Sequence, residues 1–244
     1  MQSSIILTVF FLVIYCASAA KLPNGLKRCP LGDIPCLLDA IQDALVKLKP
    51  GNAEFGIPPL DPLPISNMSI VIGGNMQLAL TLGNAEISGI TNCKMTGLIF
   101  DSDNRRIETT GECPYIDINS TYSINGKILM FDVYGSGKSS SQLRRSKGTL
   151  KMDMETYTQD NDLFVRYTKG VFDFDAEDCF VRFDNLFDGN SKLSESMNQV
   201  LNENCMSILN EVKPVYGAVI GDNVRELANK IFTQVPLKDI YLDD

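Results

Sequence analysis

Cysteine is the side chain here with the most chemical potential, and histidine is missing altogether. The 244 residues hold seven Cys and no His. Without imidazole there is no Ser–His or Cys–His nucleophile, and no GxSxG elbow occurs. Catalysis would fall to carboxylates alone, and no pair stands out, so we expect no enzyme activity. A metal would lack its commonest nitrogen ligand, and no CxxC pair is present. The acidic group Asp173, Asp175, Glu177 and Asp178 lacks the glycine and terminal glutamate of a calcium loop. Gly137-Lys138-Ser139 imitates the end of a phosphate loop, but Asp132 stands where the first glycine belongs and no helix should follow. We therefore expect neither metal nor cofactor. The run Gly135–Ser146 reads as a flexible polar hairpin tip.

The cysteines point to an oxidising compartment. Ile5 to Ile14 form a short apolar core, and Ala17-Ser18-Ala19 is a small-residue cleavage site, so residues 1–19 read as a secretory signal peptide. That core is too short to span a membrane, and no later run reaches spanning length without a charge. Residues 20–244 then form one domain. Cys16 leaves with the leader, and the remaining even number reads as disulfides. Cys29 and Cys36 bracket a helix start. A hairpin centred on Asp103 puts Cys93 opposite Cys113, within bridging reach. By elimination Cys179 is left with Cys205, tying a strand to a helix. The sequons Asn67-Met68-Ser69 and Asn119-Ser120-Thr121 are candidate glycosylation sites. A net charge of −8 argues against nucleic acid and anionic membrane surfaces as partners.

The elements that must position these residues can be read from periodicity. Asp33 caps a helix with Pro35 in its first turn, and Leu37, Leu38, Ile41, Leu45 and Leu48 share a face until Pro50-Gly51. Ile57-Pro58-Pro59-Leu60-Asp61-Pro62-Leu63-Pro64 reads as a stiff extended crossing over the surface. Alternating strands follow. Met76, Leu78, Leu80 and Leu82 share one face, as do Ile116, Ile118, Ser120, Tyr122 and Ile124, leaving Asn119 outward. Asn125-Gly126 predicts a hairpin turn back into Lys127–Tyr134. Leu150, Met152 and Met154 alternate with Lys151, Asp153 and Glu155, and Phe172 and Phe174 with Asp173 and Asp175. One wet and one apolar face mark a long antiparallel sheet.

The chain ends on a helical stripe from Leu193 to Phe232, through Met197, Leu201, Ile208, Val212, Tyr216 and Val219. Pro214, Gly217 and Gly221 should bend or interrupt it, giving a short helix and a longer one. Pro236 ends it, and Leu237–Leu242 reads as a last strand. So apolar a stripe, too charged to cross a membrane, needs a groove, and the sheet can supply one. Aromatics and methionines adapt to irregular space, making Tyr134, Met152, Met154, Tyr157 and Phe232 candidate lining, with Ile41, Leu45, Val219 and Ile220 from the helices. Tyr134 or Tyr157 could offer a hydroxyl to an ester or epoxide oxygen.

Several stretches together resemble the insect takeout and haemolymph juvenile hormone binding protein family over nearly the whole mature chain. They are Cys29…Cys36 before the first helix, Ile57-Pro58-Pro59-Leu60-Asp61-Pro62, Asn185-Leu186-Phe187-Asp188-Gly189-Asn190-Ser191-Lys192-Leu193, Met197-Asn198-Gln199-Val200-Leu201-Asn202-Glu203-Asn204, Glu211-Val212-Lys213-Pro214 and Phe232-Thr233-Gln234-Val235-Pro236. Cys205 stands where the family often has Trp. The resemblance implies an α+β fold in which a highly curved antiparallel sheet wraps a long C-terminal helix, related to tubular lipid-binding proteins, plus a short N-terminal helix. It implies a secreted, monomeric carrier of an apolar terpenoid or lipid in insect haemolymph. A second reading keeps the fold as an extracellular signalling or structural glycoprotein with the cavity filled by side chains, and a third is a hydrolase of such ligands.

Overall fold

The computed structural model describes residues 20–65, 67–72, 78–128 and 130–242. The expected leader and Met76–Gln77 lie outside these residues. Strand β1 (Cys29–Pro30) leads into α1 (Ile34–Lys47), where the Asp33 side chain accepts from the Cys36 N–H at 3.0 Å and Pro35 sits in the first turn. The Cys29–Cys36 disulfide pins this start, with Cα atoms 5.8 Å apart.

One sheet dominates, with β2 (Leu63–Ile65), β4 (Leu78–Ser88), β6 (Arg106–Ile128), β7 (Phe131–Gln159) and β8 (Asp162–Asp175) in that order. β3 (Met68–Ile72) shares an edge of β4 with β2, β5 (Lys94–Asp101) pairs with β6, and β9 (Asp178–Phe183) extends β8 along β7. All of these pairings are antiparallel. At about 3.3 Å per residue, the 29 residues of β7 would reach about 95 Å if straight. Bulges between Gly83 and Glu86, Met95 and Gly97, and Asp153 and Met154 bend these strands instead.

The alternation in β4 and β6 is as read: Leu78, Leu80, Leu82, Tyr122 and Ile124 are buried, and Asn119 faces outward. The Asp103-centred hairpin also forms. Asp101 pairs with Arg106, and the Met95/Gly97 bulge shifts the register so that Lys94 meets Glu112. Cys93 thereby reaches Cys113, at a Cα separation of 4.1 Å.

Four local expectations are corrected. Asn125 and Gly126 do not turn the chain; they pair with Tyr134 and Val133, and the reversal lies beyond the Ile128–Phe131 pair. Burial of Ile124, Ile128 and Val133 on one face outweighs the local turn preference. Gly135–Ser146 is no hairpin tip but the interior of β7. Its small residues mark a close crossing: a Cβ on Gly137 would come 2.5 Å from the Asp184 carbonyl oxygen, and one on Gly135 2.8 Å from that of Asn185. Buried Ser139 hydrogen-bonds Ser120 at 2.8 Å. The proline-rich segment is not merely a surface crossing, since Ile57, Leu60 and Leu63 enter the core. Finally, Leu237–Leu242 is one helical turn, α4 (Leu237–Ile240), before the short strand β10 (Tyr241–Leu242), which pairs in parallel with β1.

The apolar stripe forms α2 (Ser191–Glu203) and α3 (Cys205–Phe232). The break is at Asn204, beside the Cys179–Cys205 disulfide, and α3 runs through Pro214, Gly217 and Gly221. The glycines serve close packing. A Cβ on Gly217 would sit 2.1 Å from the Phe172 carbonyl oxygen, and one on Gly221 2.6 Å from that of Gly170. Helix α3 contacts β8, β9, β7 and also β3 at the far edge, so strands from both ends of the sheet meet one helix.

Three asparagines close the free edge of the sheet. The Asn198 amide donates to the Phe183 carbonyl at 2.9 Å and accepts from its N–H at 2.8 Å. Asn202 does the same for Val181, at 2.8 and 3.0 Å, and Asn229 for Tyr167, at 2.8 Å both ways. Each side chain stands in for a missing strand residue, satisfying edge groups that would otherwise be orphaned beneath the helices.

Candidate functional site

The concave face of the sheet and the helices share one main apolar core, to which Leu45, Ile208, Val215, Tyr216, Val219, Leu227, Ile231 and Phe232 contribute. These eight pack against it but are only half-buried. A second cluster of Met152, Val165 and Tyr167 takes in Met154, Ala228 and Leu237, and Phe232 joins the two. The Phe232 ring meets Tyr167 edge-on at 5.2 Å.

The structure thus brings Met152 and Met154 together with Phe232, which also reaches the main core that Leu45 and Val219 pack against. Ile41 and Ile220 are half-buried on their helices, outside both clusters. Tyr157 lies at the C-terminus of α3, where its hydroxyl donates to the Thr233 carbonyl at 3.4 Å. Its ring stacks on Phe164 at 5.6 Å with the Arg166 guanidinium 4.8 Å from its centre. Tyr134 is on the other face of β7 from fully buried Val133; it is 45% exposed and meets Phe187 edge-on at 5.3 Å. From there it cannot face α3.

The tyrosines that do face inward are others. Burial pushes the hydroxyls of Tyr216 and Tyr241 up to about 12, and raises that of Tyr167 strongly, with Tyr241 adding to the effect. Tyr122 is also pushed up to about 12, first by burial and then by Asp184, but its hydroxyl donates to the Asp184 carbonyl at 2.7 Å. Among the described residues Tyr216 has no such partner. Tyr216 carried a sequence signal, being the one hydroxyl in the stripe Val212, Val215, Tyr216, Val219, Ile220.

These groups can exclude water, bury apolar surface and donate one or two hydrogen bonds from phenols that stay neutral near pH 7. Among the described residues no group of three or more His, Cys, Asp or Glu is placed to hold a metal, and no helix is long and apolar enough to cross a membrane.

Known proteins share this architecture. The structure superposes on the crystal structure of Epiphyas postvittana takeout 1 with a TM-score of 0.79 at 24% identity, covering 88% of this chain and 99% of that one. The circadian clock-controlled protein daywake of Drosophila melanogaster is 24% identical over 238 residues, 90% of this chain and 88% of daywake. The juvenile hormone-binding protein of Manduca sexta is 32% identical over 79 residues, 32% of this chain and 34% of that protein. The haemolymph juvenile hormone binding protein family (JHBP) matches residues 6–242. With that match spanning nearly all of a curved antiparallel sheet closed on a long helix, the chain belongs to the haemolymph juvenile hormone binding protein family.

Proposed function

We propose that this protein is a secreted carrier of a rod-like apolar molecule, of terpenoid or fatty-acid size, held between α3 and the concave sheet. The observation that carries the reading is the row Ile208, Val215, Tyr216, Val219, Leu227, Ile231 and Phe232 of α3, each packed against the core yet only half-buried. Side chains in a filled core would be close-packed; half-burial along a row of residues packed against the core fits an unfilled passage. Leu45, Met152, Met154, Val219 and Phe232 remain the proposed lining, with Tyr216 replacing Tyr134 as donor to a ligand oxygen. Ile41 and Ile220 stay proposed at its margin. A monomer suffices for this task. The expected leader at residues 1–19 and the disulfides fit export.

Burial is worth about 0.8 kcal/mol per methylene, so a dozen methylenes give about 10 kcal/mol. Ordering and association take back several. A dissociation constant between about nanomolar and micromolar follows. The test is titration of delipidated protein with juvenile hormone analogues, fatty acids and an apolar fluorescent probe. Saturable binding nearly independent of salt is expected. Val219→Asp should abolish it while circular dichroism is retained. Tyr216→Phe should weaken oxygen-bearing ligands about tenfold and leave a pure hydrocarbon unchanged. Folded protein that binds none of them would refute the carrier and favour the filled-cavity glycoprotein.

A further inference from the structure

A polar groove of about 720 Å³ lies beside Asn119, lined among others by Asp117, Gln142, Arg144 and Phe180. The registers explain it. Asp117 pairs with Gln142 and Gln142 with Phe180, while Asn119 pairs with Ser140, so these residues form two rows across the outer face of β6, β7 and β9. One row is already fixed: Gln142 Nε2 donates to Asp117 Oδ1 at 2.7 Å, and Arg144 Nε donates to Gln142 Oε1 at 2.7 Å. Phe180 is 49% exposed on this wet face, with a ring free to take a flat apolar partner. Asn119 itself is the acceptor residue of a sequon and is exposed.

We propose that this groove seats the proximal sugars of an N-linked glycan on Asn119. Phe180 lies two strands and two residues from Asn119, about 12 Å at ordinary strand and residue spacings. That is the reach of a chitobiose core, whose second ring would lay its C–H face on the Phe180 ring. Its hydroxyl and acetamide groups would meet the polar ends of Asp117, Gln142 and Arg144, which supply both donors and acceptors. The glycan would then brace three strands on the side of the sheet away from α3. This rests on the secreted reading, since only an exported chain meets the glycosylating enzyme.

The test is a coupling measurement on protein secreted from insect cells. Site occupancy is read by mass spectrometry, and melting temperature is compared between wild type and Asn119→Gln, each with and without Phe180→Ala. A glycan is expected on Asn119, and its loss should lower the melting temperature by about 2–4 °C in wild type. In the Phe180→Ala background the same loss should cost less than half as much. Lys169→Ala, on the exposed side of β8, should leave the glycan effect unchanged. An occupied Asn119 with equal effects in all backgrounds overturns the seat and leaves secretion standing. An empty Asn119 in secreted protein overturns it by removing the occupant, and retention of the chain in the cells refutes the secreted reading itself.

Discussion

The amide of Asn198 is the side chain whose loss should be felt most. It is 5% exposed and satisfies both backbone groups of Phe183. An unsatisfied buried group costs about 1–3 kcal/mol. Asn198→Ala leaves two such groups and should lower stability by about 2–4 kcal/mol, read from the urea midpoint at unchanged slope. A loss under about 0.5 kcal/mol would mean that water replaces the amide. Asp61 gives the pH-dependent counterpart. Partial burial raises its carboxyl pKa, but the Thr91 hydroxyl at 2.6 Å, the Gly89 N–H at 3.1 Å and Lys49 hold it below the ordinary 3.8. A depressed folded pKa stabilises above the unfolded value and loses that stability as pH falls through the folded one. The difference in stability between wild type and Asp61→Asn should therefore be constant from about pH 5 upward and shrink below 3.8. A difference that grows in acid would reverse the assignment.

At the scale of the element, α3 shows that a residue's context decides the sign of its effect. Gly→Ala in an exposed helix stabilises by about 1 kcal/mol. At Gly221 the new methyl would stand 2.6 Å from the Gly170 carbonyl oxygen, and at Gly217 2.1 Å from that of Phe172. The helix would have to lift from β8, so each Gly→Ala should destabilise by about 1–3 kcal/mol. Thermal melts of the two variants check this, and a gain in either would show that α3 does not lie on the strand backbone. The same contacts explain why Gly217 and Gly221 do not break the helix. Asn204 does, because α2 is held to β9 through Asn198 and Asn202 while α3 departs along β8.

Across the whole molecule, three disulfides among the described residues tie β1 to α1, the end of β5 to β6, and β9 to α3. Their loops differ, with sequence separations of 7 for Cys29–Cys36, 20 for Cys93–Cys113 and 26 for Cys179–Cys205. Loop-closure entropy assigns about 2.4 kcal/mol to the first and about 3.5 to the last. Replacing Cys179 and Cys205 together by Ala should therefore lower the melting temperature more than replacing Cys29 and Cys36. The reverse order would show that the α1 start, through β1 and β10, matters more to cooperativity than the tie between β9 and α3. Ligand should raise the melting point of wild type and of both double variants, since it binds only the folded state.

The sequence by itself determined the strand faces, the helix cap at Asp33, the helical C-terminal stripe, though not its break at Asn204 rather than at Pro214, Gly217 or Gly221, and, through one hairpin's symmetry, the Cys93–Cys113 bridge. These are local or period-two and period-3.6 signals, each carried by residues close in the chain. Its family was also legible, from stretches scattered between Cys29 and Pro236. Only the tertiary structure decided that Asn125-Gly126 stays in a strand, that Gly135–Ser146 is crossed by Asp184–Leu186, and that Asn198, Asn202 and Asn229 close a sheet edge. It also placed Tyr134 on the exposed side of β7, against Phe187. In each case a tertiary contact or the burial of a whole face decides, so that local propensity near the residue carries no record of what fixes its role.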